Sequence, residues 1–220
     1  TSFLSRQDSQ NGNVQIPAKL SLDIQSALTV IGRRTPQENE STINLANANI
    51  RGADLNAANL SNTDLSGANL CGANLCGVNL RDANLIYADL SNAYLRYADF
   101  YNTFCRGVRL HGADLSGVNL SKTSFPYADL SGADLSSVKL HGVSLRDANL
   151  CGARLYDANL RGARLYDANL CGADLNGARN LTKEQLVHPK LCRTILPDGT
   201  ILNRDCEELR IDPETGRDIR

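Results

Sequence analysis

The chain has 220 residues, with 23 Lys and Arg against 24 Asp and Glu, for a formal net charge of -1. That balance lacks the basic surface of a general nucleic-acid binder and is equally unlike a polyanion. No apolar run approaches the roughly 18 residues a membrane-spanning helix needs, and the opening TSFLSRQDSQ lacks the basic-then-apolar plan of a signal peptide.

The first predicted element is a helix. Within Pro17–Arg34 the apolar residues Leu20, Ile24, Ala27, Leu28 and Ile31 recur at helical spacing. Pro17 suits a helix start and Gly32 a helix stop, so a helix is predicted over about residues 18–31.

From residue 43 a five-residue period takes over. An apolar residue, here called position i, stands at every multiple of five from Leu45 to Leu175, giving 27 units without an insertion. Leu fills 23 of the 27, and the exceptions are Ile50, Phe100, Cys105 and Phe125. Position i−2 is Ala in 18 units and otherwise Val, Thr or Ile, while i−1 is Asn or Asp in 19. Period five fits neither a helix nor a regular strand. Two inward positions per unit suit a short extended side followed by a turn. Asn, Asp and Gly supply the turn chemistry.

After the repeats, Thr182 and Gln185 form a capping-box pair before a short helix that Pro189 ends. The stretch from Thr194 to Leu202 then reads as an apolar pair of strands around a Pro197-Asp198-Gly199 turn, a hairpin. Counted outward from that turn, Cys192 and Cys206 fall nearly opposite one another. They are a candidate disulfide, against the alternative of two free thiols in a reducing cytoplasm. The tail after Glu208 is charged and is expected to fray.

The units, as in Ala68-Asn69-Leu70-Cys71-Gly72, resemble the A-(D/N)-L-x-x consensus of the pentapeptide-repeat family. The resemblance covers 43–177. It implies an all-β solenoid, a right-handed quadrilateral β-helix with four units per coil, so that residues 20 apart stack. The 27 units would make nearly seven coils, a rod of roughly 32 Å at ordinary strand spacing. The N-terminal α-helix and the C-terminal short helix plus hairpin would cap its two ends. Three segments follow: 1–42, an extension with the capping helix; 43–177, the β-helix; and 178–220, the C-terminal cap and tail. The string SLDIQSALTVIGRR also resembles sequence that precedes the repeats in some cyanobacterial members, where helical or membrane-anchored sequence can come first. In this register Leu70, Leu90, Leu115 and Leu135 belong on the axis, and Arg51, Arg81, Arg146 and Arg161 in solvent. Cys105 and Phe125 stack on the axis, a small residue beside a large one.

No catalytic constellation is found, and neither a cofactor nor a metal is expected. His111 and His141 occupy outward i+1 positions, and the many Asp residues are accounted for by position i−1 of the repeat. Cys71, Cys76, Cys151 and Cys171 all sit at i+1. Cys151 and Cys171 are ladder neighbours expected to remain free thiols. The functional clue is aromatic placement. Tyr87, Tyr94, Tyr97, Tyr101 and Phe104 take outward positions close together in sequence, with Arg106 and Gly107 beside them and Tyr127 a coil further on. Tyr87, Gly107 and Tyr127 share position i+2. A slot over Gly107 is expected there, bordered by Phe104 and Arg106, and Gly107→Leu is expected to fill it with little effect on stability.

The expected function is a non-enzymatic protein-protein interaction scaffold, regulatory in character, binding a partner protein through one wall. The alternative, a DNA-mimic inhibitor of a topoisomerase, follows from the resemblance to quinolone-resistance proteins. It wants a strongly acidic face, whereas residues 43–177 carry 12 Asp, no Glu and 11 Lys and Arg. No nucleic-acid partner and no membrane span are expected, and the chain should be a monomer or weak dimer. A cytoplasmic location is expected, or the thylakoid lumen or periplasm if Cys192 and Cys206 are joined.

Overall fold

The computed structural model describes residues 22–33, 42–121 and 123–207. The repeats wind into the expected right-handed, four-sided β-solenoid. Parallel bridges join residues 20 apart along each of four sides. The first side runs through Asn44, Asp64, Asn84, Phe104, Ser124, Ser144 and Arg164. The second contains Asn69, Asp89 and Arg109, the third Asn74, Tyr94 and Asp114, and the fourth Asn59, Asn79 and Asp99. Each side is one residue long on the ladder, because the backbone turns a corner between units.

The five positions have separate jobs. The axial amide donates up to the next coil, as Leu45 N–H does to the Asp64 carbonyl at 2.7 Å, and the i−1 amide donates back, as Asp64 N–H does to Ile43 at 2.8 Å. At the corner the i−2 amide closes a turn onto the axial carbonyl, Ala48 N–H to Leu45 at 3.0 Å. The residue before it, i+2, takes a left-handed φ, between 53° and 72° across the repeats. The Asn or Asp at i−1 accepts the i+1 amide through Oδ1, as Asp64 does from Ser66 at 3.0 Å. These side chains also bond between coils, Asn84 Nδ2 donating to Asp64 Oδ1 at 3.0 Å. The sequence pattern is therefore a hydrogen-bonding pattern: small at i−2 for the closed corner, carboxamide or carboxylate at i−1, and Gly, Asn or Asp at i+2.

Leu70, Leu90, Leu115 and Leu135 are buried on the axis, and Arg51, Arg81, Arg146 and Arg161 are exposed, as the register requires. Each axial Leu contributes about 2 kcal/mol of burial. Phe100 and Phe125 bring their ring centroids to 6.2 Å, and Cys105, buried between them in sequence, relieves the volume.

Helix α1, Leu22–Gly32, lies on the first coil. Leu28 is buried, Ile24 and Ile31 are partly so, and Ala27, expected on that face, is exposed toward the edge of the stripe. Gly32 is the last helical residue and is needed for closeness: a Cβ there would stand 2.6 Å from that of Ala58. The Gly32 carbonyl accepts from Asn59 N–H at 2.7 Å. Gln25 finishes the edge. Its Oε1 accepts from Asp54 N–H at 2.9 Å and its Nε2 donates to the Asp54 carbonyl at 2.7 Å, the two bonds a preceding coil would have made. The predicted start at Pro17, the inward Leu20 and the tail beyond Glu207 lie outside the described residues.

At the other end the ladder continues past residue 177. Lys190 pairs with Asn169 and Ile195 with Asp174, at a separation of 21. Leu181, Leu186, Leu191 and Leu196 keep the five-residue period, displaced by one residue at Asn180, and Leu191 is buried on the axis. The expected short helix is a single 3-10 turn, Glu184–Leu186. Only half of the capping box forms: Gln185 Oε1 accepts Thr182 N–H at 2.8 Å, while its Nε2 donates to the Leu160 and Ala163 carbonyls at 2.9 and 2.7 Å. The amide is taken by the open end of the solenoid. Strands β1, Thr194–Ile195, and β2, Ile201–Leu202, form the expected hairpin, with Gly199 at φ +83° in its turn.

Both ends are thus closed by a glutamine. Gln25→Ala and Gln185→Ala should each lower stability by about 1–2 kcal/mol, with the larger loss at Gln185, whose carbonyl partners are further from water. Hydrogen exchange should speed up at Asp54 in Gln25→Ala while the amide of Leu115 stays protected. Unchanged melting and exchange in both variants would show that the side-chain amides do not seal the ends.

Candidate functional site

The aromatic residues that cluster in sequence are distributed over three sides of the solenoid. Phe104, Arg106, Gly107, Tyr87 and Tyr127 belong to the first side and its following corner. Tyr94 and Tyr97 belong to the third, opposite side, and Tyr101 to the corner between the fourth and the first. A single wall carrying all eight residues is therefore not what forms. The winding separates neighbours in sequence and unites residues 20 apart.

On the first side, Tyr87, Phe104 and Tyr127 are 59%, 56% and 55% exposed. The expected slot is closed. The Tyr87 ring lies over Gly107, two of its carbons 2.5 Å from where a Cβ would stand. Arg106 stacks its guanidinium 5.3 Å from the centre of the Tyr127 ring. The same pattern runs on along this corner: Arg146 stacks on Tyr166 at 5.3 Å, and Tyr166 meets the His188 ring at 4.4 Å. Tyrosine and arginine alternate here from Tyr87 to Tyr166 over about 19 Å, at one strand spacing per coil. Arg146, Tyr166 and His188 were missed from the sequence because they lie far from residues 87–107; counting in steps of 20 would have found the first two.

Two features of this side do not serve the fold. Tyr87 and Tyr127 hold left-handed φ values of 58° and 61°, which cost a bulky residue about 1–2 kcal/mol each. Phe104 replaces the Asn or Asp that would have accepted the i+1 amide. On the third side Tyr97, 82% exposed, is also left-handed at 61°, and Tyr94 makes the same replacement as Phe104. There Arg96 is engaged with Asp114 at 2.7 Å rather than with a ring. Arg81 stacks on Tyr101 at 4.6 Å.

The second side carries a column of cysteines. Cys71, Cys151 and Cys171 share its i+1 column, and Cys192 continues it. Cys192 and Cys206 are joined, with Cα atoms 4.8 Å apart, while Cys71, Cys76, Cys105, Cys151 and Cys171 are free. Burial pushes the Cys105 thiol far above its ordinary value, as suits an axial filler. His111 Nδ1 and Ser131 Oγ lie 2.9 Å apart on that column. Among the described residues no group of three or more His, Cys, Asp or Glu could hold a metal ion, and no helix is long and apolar enough to cross a membrane.

A family model of pentapeptide repeats matches the chain in eight copies, over residues 43–77, 73–104, 105–142 and 139–177. No curated protein matches the sequence. Among solved structures, a trypsin-treated form of QnrB1, a plasmid-mediated fluoroquinolone resistance protein, is similar at 24% identity over 68% of this chain and 81% of that one, with a TM-score of 0.47. HetL, a pentapeptide repeat protein involved in heterocyst differentiation regulation from the cyanobacterium Nostoc sp. strain PCC 7120, is similar at 27% identity over 84% and 99%, with a TM-score of 0.28. A pentapeptide repeat protein from the Arabidopsis thaliana thylakoid lumen is similar at 27% over 70% and 82%, with a TM-score of 0.25. These superpositions are too loose for any residue role to be carried across.

The closed slot changes what substitution at Gly107 should do. Any side chain there meets both the Tyr87 ring and a φ of +62°. Gly107→Ala should therefore destabilise by about 1–2 kcal/mol, unlike an ordinary surface change. Adding Tyr87→Ala should recover the part due to the ring and leave the part due to the backbone. A Gly107→Ala melting curve superposable on the parent's would contradict this geometry.

Proposed function

This chain belongs to the pentapeptide repeat family, and we propose that it is a non-enzymatic scaffold that docks a partner protein on its first side. The observation that carries this reading is the placement of aromatic residues where stability disfavours them. Tyr87 and Tyr127 sit exposed in left-handed backbone, and Phe104 forgoes the corner hydrogen bond. Exposed rings pinned by a rigid backbone and by a stacked Arg106 lose little freedom when a partner covers them, and Tyr and Arg are frequent anchors of protein interfaces. Backbone strain of this kind collects at functional surfaces.

Charge argues against imitation of DNA. The third side is the most acidic one fully described, with Asp54, Asp114, Asp134, Asp157 and Asp174 against Arg96 and Arg154. Arg96–Asp114 at 2.7 Å and Arg154–Asp134 at 3.5 Å neutralise its middle. A phosphate-like row of free carboxylates does not result. The Cys192–Cys206 bond favours an oxidising compartment, such as the thylakoid lumen or periplasm, over the cytoplasm.

Phe104→Asn and Tyr94→Asn test the site. Both restore the acceptor for the i+1 amide and should stabilise by about 1 kcal/mol, raising Tm by roughly 2–4 °C. Only Phe104→Asn should lose the partner that the parent retains from an extract of its source. A Phe104→Asn protein that keeps that partner, or a Tyr94→Asn protein that alone loses it, would move the site off the first side.

A further inference from the structure

The i+1 column of the second side ends in Cys151, Cys171 and Cys192, and Cys206 is joined to the last of them. Cys151 is exposed and free, Cys171 is buried and free, and Cys192 is buried and bonded to buried Cys206. Cys171, Cys192 and Cys206 pack together as a cluster of their own, separate from the axial core. Successive rungs hold the column in register: Gly152 N–H donates to the Cys171 carbonyl at 2.9 Å, and Gly172 N–H to the Cys192 carbonyl at 2.7 Å.

Cys206 is held to this column independently of its disulfide. Asp205 accepts Leu191 N–H through Oδ2 at 2.6 Å, and its own N–H donates to the Leu191 carbonyl at 3.0 Å. Arg204 donates to the carbonyls of Leu186 and Pro189. If the bond to Cys206 opened, these contacts would keep its sulfur beside Cys192. A third thiol fixed against a disulfide by backbone bonds is an intramolecular nucleophile with a high effective concentration.

We propose that Cys171 is an exchange partner built in beside the Cys192–Cys206 disulfide, and that Cys151 is its outlet to solvent, so that the bond can move along the second side. In the first step the Cys171 thiolate attacks Cys192 Sγ. A Cys171–Cys192 bond forms, the Cys192–Cys206 bond breaks, and its electron pair leaves on Cys206, which takes up the proton Cys171 gave up. In the second step the Cys151 thiolate attacks Cys171 Sγ and expels Cys192 in the same way. Each step exchanges one disulfide for another, so no oxidant or reductant is consumed. The bond then lies at the exposed Cys151, where a small thiol or a protein dithiol can reach it. The C-terminal cap thereby gains a modification site that its buried disulfide alone would not offer.

Burial pushes the Cys171 thiol up, and the neighbouring Cys151 and Asp205 add to that, while the Cys192 amide and Lys190 oppose it. Burial and Asp129 push the Cys151 thiol up as well. Exchange is therefore slow at neutral pH and is best followed at about pH 9, where more thiolate forms.

The full chain would be incubated without reductant, quenched in acid, unfolded and alkylated with N-ethylmaleimide, then digested with trypsin. Cleavage at Arg146, Arg154, Arg164, Arg179, Lys190, Arg193, Arg204 and Arg210 puts Cys151, Cys171, Cys192 and Cys206 on separate peptides. The expected result is label appearing on Cys206 with time, matched by loss from Cys171, and peptides linked Cys171–Cys192 and Cys151–Cys171. Cys171→Ser, a change that keeps size and polarity, should melt cooperatively and abolish the Cys206 label. Cys151→Ser should still show Cys171–Cys192 but no further migration. Independently, Cys206→Ser treated with oxidised glutathione should form Cys171–Cys192. Persistent Cys192–Cys206 linkage alone in the parent, equal Cys206 labelling in Cys171→Ser, or only glutathione adducts on Cys192 in Cys206→Ser would overturn the proposal.

Discussion

Every structural element of this protein answers to one constraint, the hydrogen-bond register between coils. An axial amide must meet a carbonyl of the next coil and an i−1 amide a carbonyl of the previous one, as Leu45 with Asp64 and Asp64 with Ile43. Through residue 179 that pairing is kept by a coil that returns after 20 residues, and in the last return the extra residue at Asn180 makes the separation 21. To do so the backbone must turn four times per coil, which forces left-handed φ at i+2 and a small residue at i−2. Leu on the axis supplies the burial that holds the coils together. The ends exist because the register must stop somewhere, and a buried edge with unpaired amides is costly. Gln25 and Gln185 stop it with side-chain amides that imitate a peptide bond.

Much of this was legible in the residues because the pattern is local and repeated. The axial Leu, the outward Arg and the hairpin around Gly199 stand where the period and the turn chemistry put them. What was hidden is what breaks the period or reaches across it. Asn180 displaces the phase by one, so Leu181, Leu186, Leu191 and Leu196 read as a new segment although they keep the five-residue spacing. Gln25 acts 29 residues away in sequence, and nothing local marks it. Gly32 looked like a helix stop, but Ala58 is what demands it.

The candidate site shows the same division more sharply. Closeness in sequence suggested one aromatic patch from Tyr87 to Phe104, whereas in a four-sided coil ten residues carry the chain to the opposite side. Phe104 and Tyr94 consequently face away from each other. Stacking of Tyr87, Gly107 and Tyr127 followed from the register, but the tilt of the Tyr87 ring into the space over Gly107 did not, because a ring will fill an adjacent gap when nothing else does. The first side remains the place where fold and function diverge. Its tyrosines and Phe104 work against the corner that carries them, and the rigid coil tolerates them because neighbouring units hold the backbone in place.

The register can be tested directly by excising one whole coil. Deleting residues 128–147 removes 20 residues, joins Tyr127 to Ala148, and keeps every later residue on its own side. Deleting 128–146 removes one residue fewer and throws the axial Leu of all later units off the axis. Circular dichroism and thermal melting of the two proteins separate the cases. A 20-residue register requires that the first deletion retain the β signature and a cooperative melt close to the parent's, and that the second lose both. Equal behaviour of the two deletions, folded or unfolded, would contradict it.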